Sequence, residues 1–338
     1  MSALEVCLLG CGSVARLHSR VARSLGAGVK LSFASRSLER AESFRRRYRG
    51  RHAFGSYDAA CAHPDVDVVF ICTPPALHLE HAVLAAQSGK AIVVEKPAAR
   101  SVTELDQISA AARQHGVFAM VAENYRFKPL LAVLRTWISR GDIGTPQFIE
   151  ISRAGSNKTD GWRANAAMMG GGALLEGGVH WVHLLCELGG VPRSVAAARP
   201  TNRVPLAPLE DALDILVTFD DGPVGRLFHS WNTRSRIAGL GMSRILGTQG
   251  NIHFESNGVF AAVLGRRYRM RPPGLLDLMG YRGMWRHLVA CMRDGSPPLT
   301  SLDVARRDLA VVEAAYRSLN SMQFEPTDLE VAETIRPS

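Results

Sequence analysis

The feature that most constrains the fold of this chain is a glycine turn near its N-terminus. Gly10-Cys11-Gly12-Ser13-Val14-Ala15 follows the apolar run Val6–Leu9 and precedes residues 14–26, which have helical periodicity. The first glycine allows a tight turn, the second lets backbone approach a pyrophosphate, and the alanine allows close packing of helix on strand. The helix N-terminus supplies N–H donors and a partial positive charge. The pattern predicts a dinucleotide-binding unit with Gly10, Cys11, Gly12, Ser13, Val14 and Ala15 as cofactor-binding residues.

Strand-like and helix-like segments alternate up to residue 123. The pattern predicts further strands at Lys30–Ala34, Val66–Cys72, Ala91–Val94 and Val117–Ala122, and helices at 37–49, 77–88 and 102–115, the last opened by a capping box of Ser101 and Glu104. Alternation of this kind builds a parallel, doubly wound sheet with buried strands. We therefore assign residues 1–123 to an N-terminal Rossmann domain in a chain of the α/β class.

The pattern changes after Asn124. A helix near 128–140 is followed by strand-like runs at 147–153, 194–199, 211–219, 223–231 and 237–246, several separated by short turns. Such spacing favours an antiparallel sheet. Residues 124–338 are therefore predicted to form a second domain, of the α+β type, around this sheet. Its C-terminal helix, at about 302–321, is predicted to pack back on the first domain.

The residues after the second strand indicate which dinucleotide binds. An NAD enzyme usually carries an acidic residue there, whereas this chain has Ser35-Arg36-Ser37 and no acid before Glu39. A hydroxyl and a guanidinium suit a ribose 2′-phosphate, and Arg40 lies one helical turn further on. Ser35, Arg36 and Arg40 therefore predict NADP(H), with NAD(H) as the alternative cofactor. The competing interpretation is that Arg36 is simply solvated.

Composition excludes several other classes. The 338 residues carry 40 Lys+Arg and 31 Asp+Glu, a net charge of +9, and only five of the cations are lysines. Basic runs at 45–51 and 266–271 interleave arginine with tyrosine, which could bind a polyanion. A solvated face explains them better, since the first ends a predicted helix. Six scattered cysteines and no long apolar stretch predict a cytoplasmic protein that binds neither nucleic acid nor membrane.

Lys96 is the first candidate for chemistry. Val94-Glu95-Lys96-Pro97 comes directly after the fourth predicted strand. Open α/β sheets bind their ligands at the carboxyl ends of the strands, and a lysine there can exchange a proton with a substrate hydroxyl. The alternative is an ordinary surface lysine at a strand end.

A glycine-rich run supplies the second candidate. Residues 170–180 contain five glycines together with Glu176 and His180, and glycine in a helix interior costs about 0.8–1 kcal/mol relative to alanine. A helix with so many glycines needs its backbone close to another surface, and we expect that surface to be the nicotinamide. The i,i+4 spacing of Glu176 and His180 places them on one helical face, where the carboxylate can orient the imidazole for acid–base work. With His183 they also offer a metal-ligand pattern, but zinc helices usually read His-Glu-x-x-His, so we predict no metal.

Taken together, these motifs resemble the Gfo/Idh/MocA oxidoreductase family, which joins an N-terminal Rossmann domain to an α/β domain with a large, mostly antiparallel sheet. The resemblance runs through most of the chain. It is carried by Gly10–Ala15, Thr73-Pro74-Pro75 with His78, Glu95-Lys96-Pro97, Asn124-Tyr125-Arg126-Phe127, Gly141–Gly144, Trp162-Arg163, Gly170–His180 and Val312–Ser318.

The resemblance implies roles for particular residues. Lys96 and His180 match the family's proton-transfer residues. Glu176 stands where the family usually has Asp, so the sequence departs from the family pattern at this predicted catalytic position. Tyr125, Arg126, Trp162 and Arg163 are expected to contact the substrate together with Lys96, Glu176 and His180. The remaining predicted cofactor contacts are Cys72, Thr73, Pro74, His78, Glu95, Lys96 and Asn124.

Three functions follow as hypotheses. The leading one is an NAD(P)(H)-dependent oxidoreductase that moves hydride between the nicotinamide and a hydroxyl or carbonyl carbon, as on a sugar, keto-sugar or cyclitol. The second is a family-related glycoside-processing enzyme that retains its NAD(H). The third is a non-catalytic nucleotide-binding regulator. By resemblance, residues 124–338 form a domain with a large, mostly antiparallel open sheet that serves substrate binding and oligomerisation. The resemblance thus implies a small-molecule partner and a homodimer or homotetramer formed through that sheet.

Overall fold

The computed structural model of the protein describes residues 3–155, 160–201, 209–231, 233 and 241–329. The described residues divide into two units. The first lies within Met1–Lys128, Gly161–Gly170 and Met279–Ala305, and the second within Pro129–Asp160, Gly171–Leu278 and Arg306–Ser338. Helices in these residues are α1 (Ser13–Arg23), α2 (Leu38–Tyr48), α3 (Tyr57–Ala62), α4 (His78–Gln87), α5 (Val102–Gln114), α6 (Pro129–Ser139), α7 (Ala166–Met169), α8 (Val179–Gly189), α9 (Tyr281–Asp294) and α10 (Leu302–Ser321).

The first unit is built on a parallel sheet. Its strands are β1 (Leu4–Leu9), β2 (Val29–Ala34), β3 (Ala53–Phe54), β4 (Val68–Ile71), β5 (Ala91–Val94) and β6 (Ala119–Val121). They are ordered β3-β2-β1-β4-β5-β6, and all pairings are parallel. Every residue of β4 and β5 is buried, as expected for strands covered on both faces. The predicted doubly wound Rossmann sheet is confirmed, and its strand order reverses between β1 and β4, where such sheets bind ligands.

Serine caps begin several helices of this unit. Ser37 accepts a hydrogen bond from the N–H of Arg40 at the start of α2, and Ser101 accepts from Glu104 N at 3.1 Å at the start of α5. The Glu104 carboxylate reaches back to the N–H of Arg100 at 2.9 Å, one residue before the position expected in a capping box. The helices therefore begin where their side chains satisfy otherwise free donors.

The second unit is built on a larger sheet. Its strands are β7 (Pro146–Ala154), β8 (Pro192–Ala198), β9 (Ala212–Phe219), β10 (Val224–Ser230), β11 (Met242–Gly247), β12 (Gly250–Glu255), β13 (Ala261–Leu264), β14 (Tyr268–Arg271) and β15 (Glu325–Pro326). Within the described residues they are ordered β14-β13-β12-β11-β7-β10-β9-β8-β15. Only the β7–β10 pairing is parallel among these, which confirms the predicted mostly antiparallel sheet.

The two faces of this sheet differ in burial. On one face, apolar side chains at most 1% exposed are Ile149, Ile151, Ile215, Val217, Leu227, Ile245, Ile252 and Val263. Helix α8 packs against β7 and β10. The other face carries large apolar side chains that are 42–69% exposed: Phe148, Leu216, Met242, Leu264, Tyr268 and Met270. Alternate residues of each strand thus face a core and an exposed surface.

The sequence-based element predictions and the structure differ in a few places. Residues 237–240 of the predicted strand 237–246 lie outside the described residues. The strands β3 and β12–β15 and the helices α3, α7 and α9 were not predicted. The domain boundary was predicted after residue 123, whereas the first stretch of unit 1 ends at Lys128. Residues 161–170 and 279–305 also belong to unit 1. Packing of the C-terminal helix on the first unit stays a prediction. None of the described helices has the length and hydropathy to cross a membrane.

Candidate active site

The glycine turn has the geometry that a dinucleotide requires. Gly10 has a φ of +97°, and a Cβ there would lie 3.0 Å from the carbonyl oxygen of Cys72, so only glycine fits without strain. Gly12 precedes α1, and a Cβ there would meet nothing within 4 Å. The first N–H groups of a helix have no acceptor within it, and the first turn of α1 contains no acidic residue. Open space and unopposed donors at this turn fit the pyrophosphate of a dinucleotide.

Two arginines lie beside this turn. Arg40 donates from Nε to the carbonyl oxygen of Cys11 at 2.8 Å, and the residue as a whole is exposed, as is Arg36. Burial raises the pKa of Tyr57, while the positive charges of Arg36 and Arg40 act in the opposite direction. The charges of Arg36 and Arg40 thus both act on the phenol of Tyr57, the first residue of α3. Ser35 is buried, and its Oγ accepts from Ser37 N at 3.3 Å.

His78 ties together the ends of β4 and β5. Its Nε2 is 2.8 Å from the carbonyl oxygen of Thr73, and its Nδ1 is 3.0 Å from that of Pro97. The side chain is 1% exposed, and burial lowers its pKa. Thr73 is also fixed through Oγ1, which is 3.0 Å from Nδ1 of His81. Cys72 and Pro74 flank Thr73, so hydrogen bonds to His78 and His81 hold the predicted cofactor loop at the end of β4.

Lys96 lies directly after β5 and is half-buried. Its peptide N–H donates to Oε2 of Glu95 at 2.9 Å, and the peptide bond between Lys96 and Pro97 is cis. Glu95 is 6% exposed, and its Oε1 lies 2.5 Å from Nε2 of His18. Both oxygens of the Glu95 carboxylate therefore have protein partners, and one partner is the backbone of Lys96 itself.

The Asn124–Arg126 segment forms a tight turn in the first unit. Asn124 is 1% exposed and donates from Nδ2 to the carbonyl oxygen of Met279 at 2.6 Å. Tyr125 is also buried, whereas Arg126 is half-buried. Nζ of Lys128, a residue 1% exposed, lies 4.1 Å from the centre of the Tyr125 ring. Sequence reasoning singled out Lys96 among the lysines and missed that Lys128 is the more deeply buried of the two.

Trp162 and Arg163 are both half-buried in a short turn, Gly161–Ala164. The Arg163 guanidinium lies over the Trp162 ring, 4.4 Å from its centre, which is a cation–π contact. The predicted contact of this pair with the substrate stays a prediction.

The glycine-rich run contains an unusual helical turn. Leu174–Gly178 forms one turn of π-helix, and α8 begins at Val179. Glu176 lies within the π-turn and is buried, whereas His180 lies in α8 and is half-buried. The spacing between them therefore crosses a π-turn rather than a continuous α-helix as predicted. Single π-turns within helices are frequent at functional sites.

The glycines of this run are explained by contacts with the protein itself. A Cβ on Gly172 would overlap the Glu210 side chain, and a Cβ on Gly177 would lie 3.1 Å from Nε1 of Trp231 and 3.3 Å from Nε2 of His229. The side chains that the glycine-rich backbone approaches closely therefore include Glu210, Trp231 and His229. Sequence reasoning suggested none of these three residues.

A buried glutamate fastens the start of the π-turn. Oε1 of Glu210 accepts from the N–H of Leu174 and from the hydroxyl of Tyr316, each at 2.9 Å. The N–H of Gly172 donates to the same Tyr316 hydroxyl at 3.1 Å. Burial raises the pKa of Glu210, and the pKa of Tyr316 is raised well above its usual value, chiefly by burial. Glu210 and Tyr316 thus hold the backbone that leads to Glu176.

The metal alternative involving Glu176, His180 and His183 gains no support from the geometry. His183 is fully buried, and its Nδ1 is 2.7 Å from Oδ2 of Asp308. Within the described residues, ligand-type side chains whose ligand atoms lie within 4.8 Å of one another form a group elsewhere, at His52, His63 and Asp65. Arg51 already pairs with Asp65 at 2.8 Å, which opposes a cation at that position.

The fold and glycine turn of the first unit define a nucleotide-binding Rossmann protein. Residues 4–123 match the NAD-binding Rossmann-fold domain of the Gfo/Idh/MocA oxidoreductases, and residues 131–253 match the C-terminal domain of the same family. The chain therefore belongs to the Gfo/Idh/MocA family of oxidoreductases.

Individual relatives and a solved structure are also similar. The trans-1,2-dihydrobenzene-1,2-diol dehydrogenase of Mus musculus is 30% identical over 229 residues, which are 66% of this chain and 67% of that enzyme. An NADP(+) scyllo-inositol 2-dehydrogenase of Bacillus subtilis is 30% identical over 203 residues, which are 58% of this chain and 60% of that enzyme. Levoglucosan dehydrogenase in complex with NADH and levoglucosan has the same fold, with a TM-score of 0.86, 23% identity, and coverage of 97% of this chain and 100% of that chain.

Proposed function

We propose that the protein is a nicotinamide-dependent dehydrogenase acting on a hydroxyl-bearing carbon of a small sugar or cyclitol. When bound, the nicotinamide supplies hydride transfer to or from that carbon. The observation that carries the proposal is the glycine turn, with Gly10 packed against the end of β4 and open space at Gly12. The named relatives, which act on a dihydrodiol and an inositol, support a substrate that bears neighbouring hydroxyl groups.

The protein's own residues would handle the proton. We assign transfer of the hydroxyl proton to His180, assisted by Lys96, and orientation of the imidazole to Glu176. His180 is half-buried and follows a π-turn, so part of its side chain is accessible. Glu176 is buried in that turn, where a carboxylate in place of the family's usual Asp can still support the imidazole.

A substrate panel tests this function. Sugars, cyclitols, keto-sugars and vicinal diols are incubated with NAD(H) or NADP(H), and the absorbance of reduced nicotinamide is followed. We expect steady turnover with at least one polyol and one free cofactor. Turnover of a glycoside without exchange of bound cofactor would instead support the cofactor-retaining alternative. Cofactor binding without any turnover, unaffected by Lys96→Ala, would support the regulator.

We assign NADP(H) as the preferred cofactor, with NAD(H) as the alternative. Arg36 and Arg40 are exposed beside the glycine turn, and no acidic side chain lies between β2 and Glu39 to repel a 2′-phosphate. Arg36→Ala should weaken NADP(H) by about 10–100-fold, since a charge-assisted phosphate contact contributes about 1.5–3 kcal/mol, while NAD(H) affinity changes less than about threefold. Arg45→Ala, on the far turn of α2, is the matched control. Equal loss of both cofactors in Arg36→Ala would contradict the assignment.

We also propose that copies of the chain associate through the exposed face of the second unit's sheet. Phe148 is 49% exposed and lies opposite Val224 in the β7–β10 register. Ion pairs between Arg226 and Asp214 and between Arg244 and Glu150, both 2.6 Å, lie on the same face. Such a mixed apolar and charged patch is typical of an interface. Sedimentation should show a dimer or tetramer that Phe148→Asp dissociates, and a wild-type monomer would contradict it.

The cytoplasm remains the proposed location. All six cysteines are buried thiols, and burial raises the pKa of Cys11 to about 11. Buried neutral thiols of this kind fit a reducing compartment. Fractionation of the native host with an antibody tests it, and recovery outside the cytoplasm would contradict it.

A further inference from the structure

A buried histidine of the first unit connects three segments that are far apart in the sequence. His18 lies on α1, Glu95 follows β5, and Trp285 lies on α9. The His18 side chain is fully buried. Its Nε2 atom is 2.5 Å from Oε1 of Glu95, and its Nδ1 atom is 3.1 Å from Nε1 of Trp285. The predicted roles of the site account for neither His18 nor Trp285.

The hydrogen-bond donors fix the protonation of this histidine. An indole N–H can only donate, so Nδ1 of His18 accepts from Trp285. The ring proton of neutral His18 is therefore on Nε2, and it points to the Glu95 carboxylate. The other carboxylate oxygen accepts from the peptide N–H of Lys96 at 2.9 Å. Hydrogen bonds thus run without a break from Trp285 through His18 and Glu95 to the backbone of Lys96.

Aromatic side chains enclose the imidazole. The ring centre of His18 is 4.5 Å from that of Phe70, 5.6 Å from Tyr281 and 6.0 Å from Trp285. Phe70 and Trp285 stack on each other at 5.2 Å. Burial raises the pKa of Tyr281, and the negative charge of Glu95 raises it further. In an environment with so little water, a hydrogen bond to a carboxylate is stronger than at the surface.

We propose that Trp285, His18 and Glu95 form a positioning relay, which fixes the backbone of Lys96 and hence the direction in which its side chain leaves β5. The inference rests on the proposed function, in which Lys96 assists transfer of the substrate proton. His18 and Glu95 are then positioning residues that act through Lys96. A displacement of about 1 Å at a reacting group can cost about 100-fold in rate, so a buried relay of this kind has a measurable effect.

Three variants separate the hydrogen bonds from the packing. His18→Met removes both hydrogen bonds of His18 and keeps an apolar side chain in its place, whereas His18→Gln keeps one donor and one acceptor. Tyr281→Phe is the control, since it keeps an aromatic ring against His18 and removes only a hydroxyl. We expect kcat to fall about 100-fold in His18→Met, less than about tenfold in His18→Gln and less than about twofold in Tyr281→Phe. The Kd of the cofactor should change less than about threefold in all of them. Full kcat in a folded His18→Met variant would overturn the relay.

A second background tests whether the relay acts through Lys96. If it does, His18→Met should lower kcat little further once Lys96→Met is present, because the two changes remove one effect. An equal fold loss in wild-type and Lys96→Met enzyme would show that His18 acts only on the fold, and would overturn the proposal. Should His18→Met not fold, Trp285→Phe takes its place, with an expected loss of about three- to tenfold in kcat.

Imidazole ¹⁵N chemical shifts test the relay without any substrate. The signal that disappears in His18→Gln should show a protonated Nε2 and an unprotonated Nδ1 near neutral pH, and Trp285→Phe should shift the Nδ1 resonance. A protonated Nδ1 would overturn the relay whether or not the enzyme turns over a polyol. Conversely, unchanged turnover in Lys96→Met with the expected shifts would reject the proposed role of Lys96 and leave the hydrogen-bonded relay in place.

Discussion

Each unit holds a buried glutamate against the backbone of a segment that carries predicted catalytic side chains, and the two are held differently. In the first unit, Glu95 accepts from Lys96 N at 2.9 Å and is supported by a histidine. In the second unit, Glu210 accepts from Leu174 N at 2.9 Å and is supported by the hydroxyl of Tyr316. The first glutamate is adjacent to the residue that it positions, whereas the second comes from a distant loop.

This difference shows why one site residue was predicted and the other was not. Glu95 lies within a short motif next to Lys96, so the sequence displays both together. Glu210 lies 36 residues from Leu174 in the chain, and only the fold brings them together. Close packing explains the glycine at 172, because any side chain there would overlap Glu210. Glycine clusters thus indicate that a partner exists without identifying it.

The sheets of the two units also differ, because the first is covered on both faces and the second has one exposed face. Matched variants in a buried and an exposed phenylalanine test this difference. Phe33, on β2, is fully buried with its ring 5.6 Å from Phe44, whereas Phe148, on β7, is 49% exposed. Phe33→Ala should lower the free energy of unfolding by about 3–5 kcal/mol, and Phe148→Ala by about 0.5 kcal/mol or less at protein concentrations low enough to dissociate the proposed oligomer. Urea denaturation monitored by circular dichroism measures both. Similar losses in the two variants would show that the second sheet is covered as fully as the first.

The glycine turn allows a sharper separation of fold from binding. Gly10→Ala places a side chain at a φ of +97° and should destabilise the first unit by about 1–3 kcal/mol. Gly12→Ala meets no atom within 4 Å, so it should leave the melting temperature almost unchanged while weakening the cofactor. Thermal denaturation and fluorescence titration with NADPH measure the two effects. Unaltered cofactor affinity in Gly12→Ala would mean that the dinucleotide does not lie against this turn.

The first unit should lose stability on acidification. Burial lowers the pKa of His81 from 6.5 to about 4. Between these values the unfolded chain takes up a proton that the folded chain does not, so the free energy of unfolding falls as pH decreases from about 6.5 to about 4. His81→Asn keeps a polar atom near Thr73 and does not titrate, so it should flatten this part of the profile. An unchanged pH dependence in His81→Asn would assign the loss to other groups.

The second unit should show a smaller dependence of opposite sign. Burial raises the pKa of Glu210 above 4.5, so the folded state holds its proton longer than the unfolded state does. Its contribution to stability is complete below about pH 4.5 and is lost as pH rises through the raised pKa. Glu210→Gln keeps an oxygen for Leu174 and Tyr316 and cannot ionise. It should therefore remove this decline in urea-unfolding profiles, and a profile identical to wild type would contradict the assignment.

Strand prediction succeeded where strands are buried on both faces. Ala91–Val94 was predicted with the bounds that the structure shows, because these four consecutive apolar residues are followed directly by the polar Glu95 and Lys96. The hairpin of β13 and β14 was missed, since its arginine run suggested a solvated basic cluster and the strands are at the edge of the sheet. Helix α9 was missed although it carries Trp285. His18 gave one usable signal, because it falls with Ala15 and Ala22 on the buried side of α1.

The most direct test of the proposed dehydrogenase replaces the two residues to which proton transfer is assigned. Lys96→Met and His180→Ala are each expected to lower kcat by about 10²–10⁴-fold on the polyol that the panel identifies, and His180→Ala should change the cofactor Kd less than about threefold. If both serve one proton transfer, the double variant should be about as slow as the slower single variant. Losses that multiply in the double variant, or full activity in either single variant, would contradict the proposed assignment of proton transfer to His180 and Lys96.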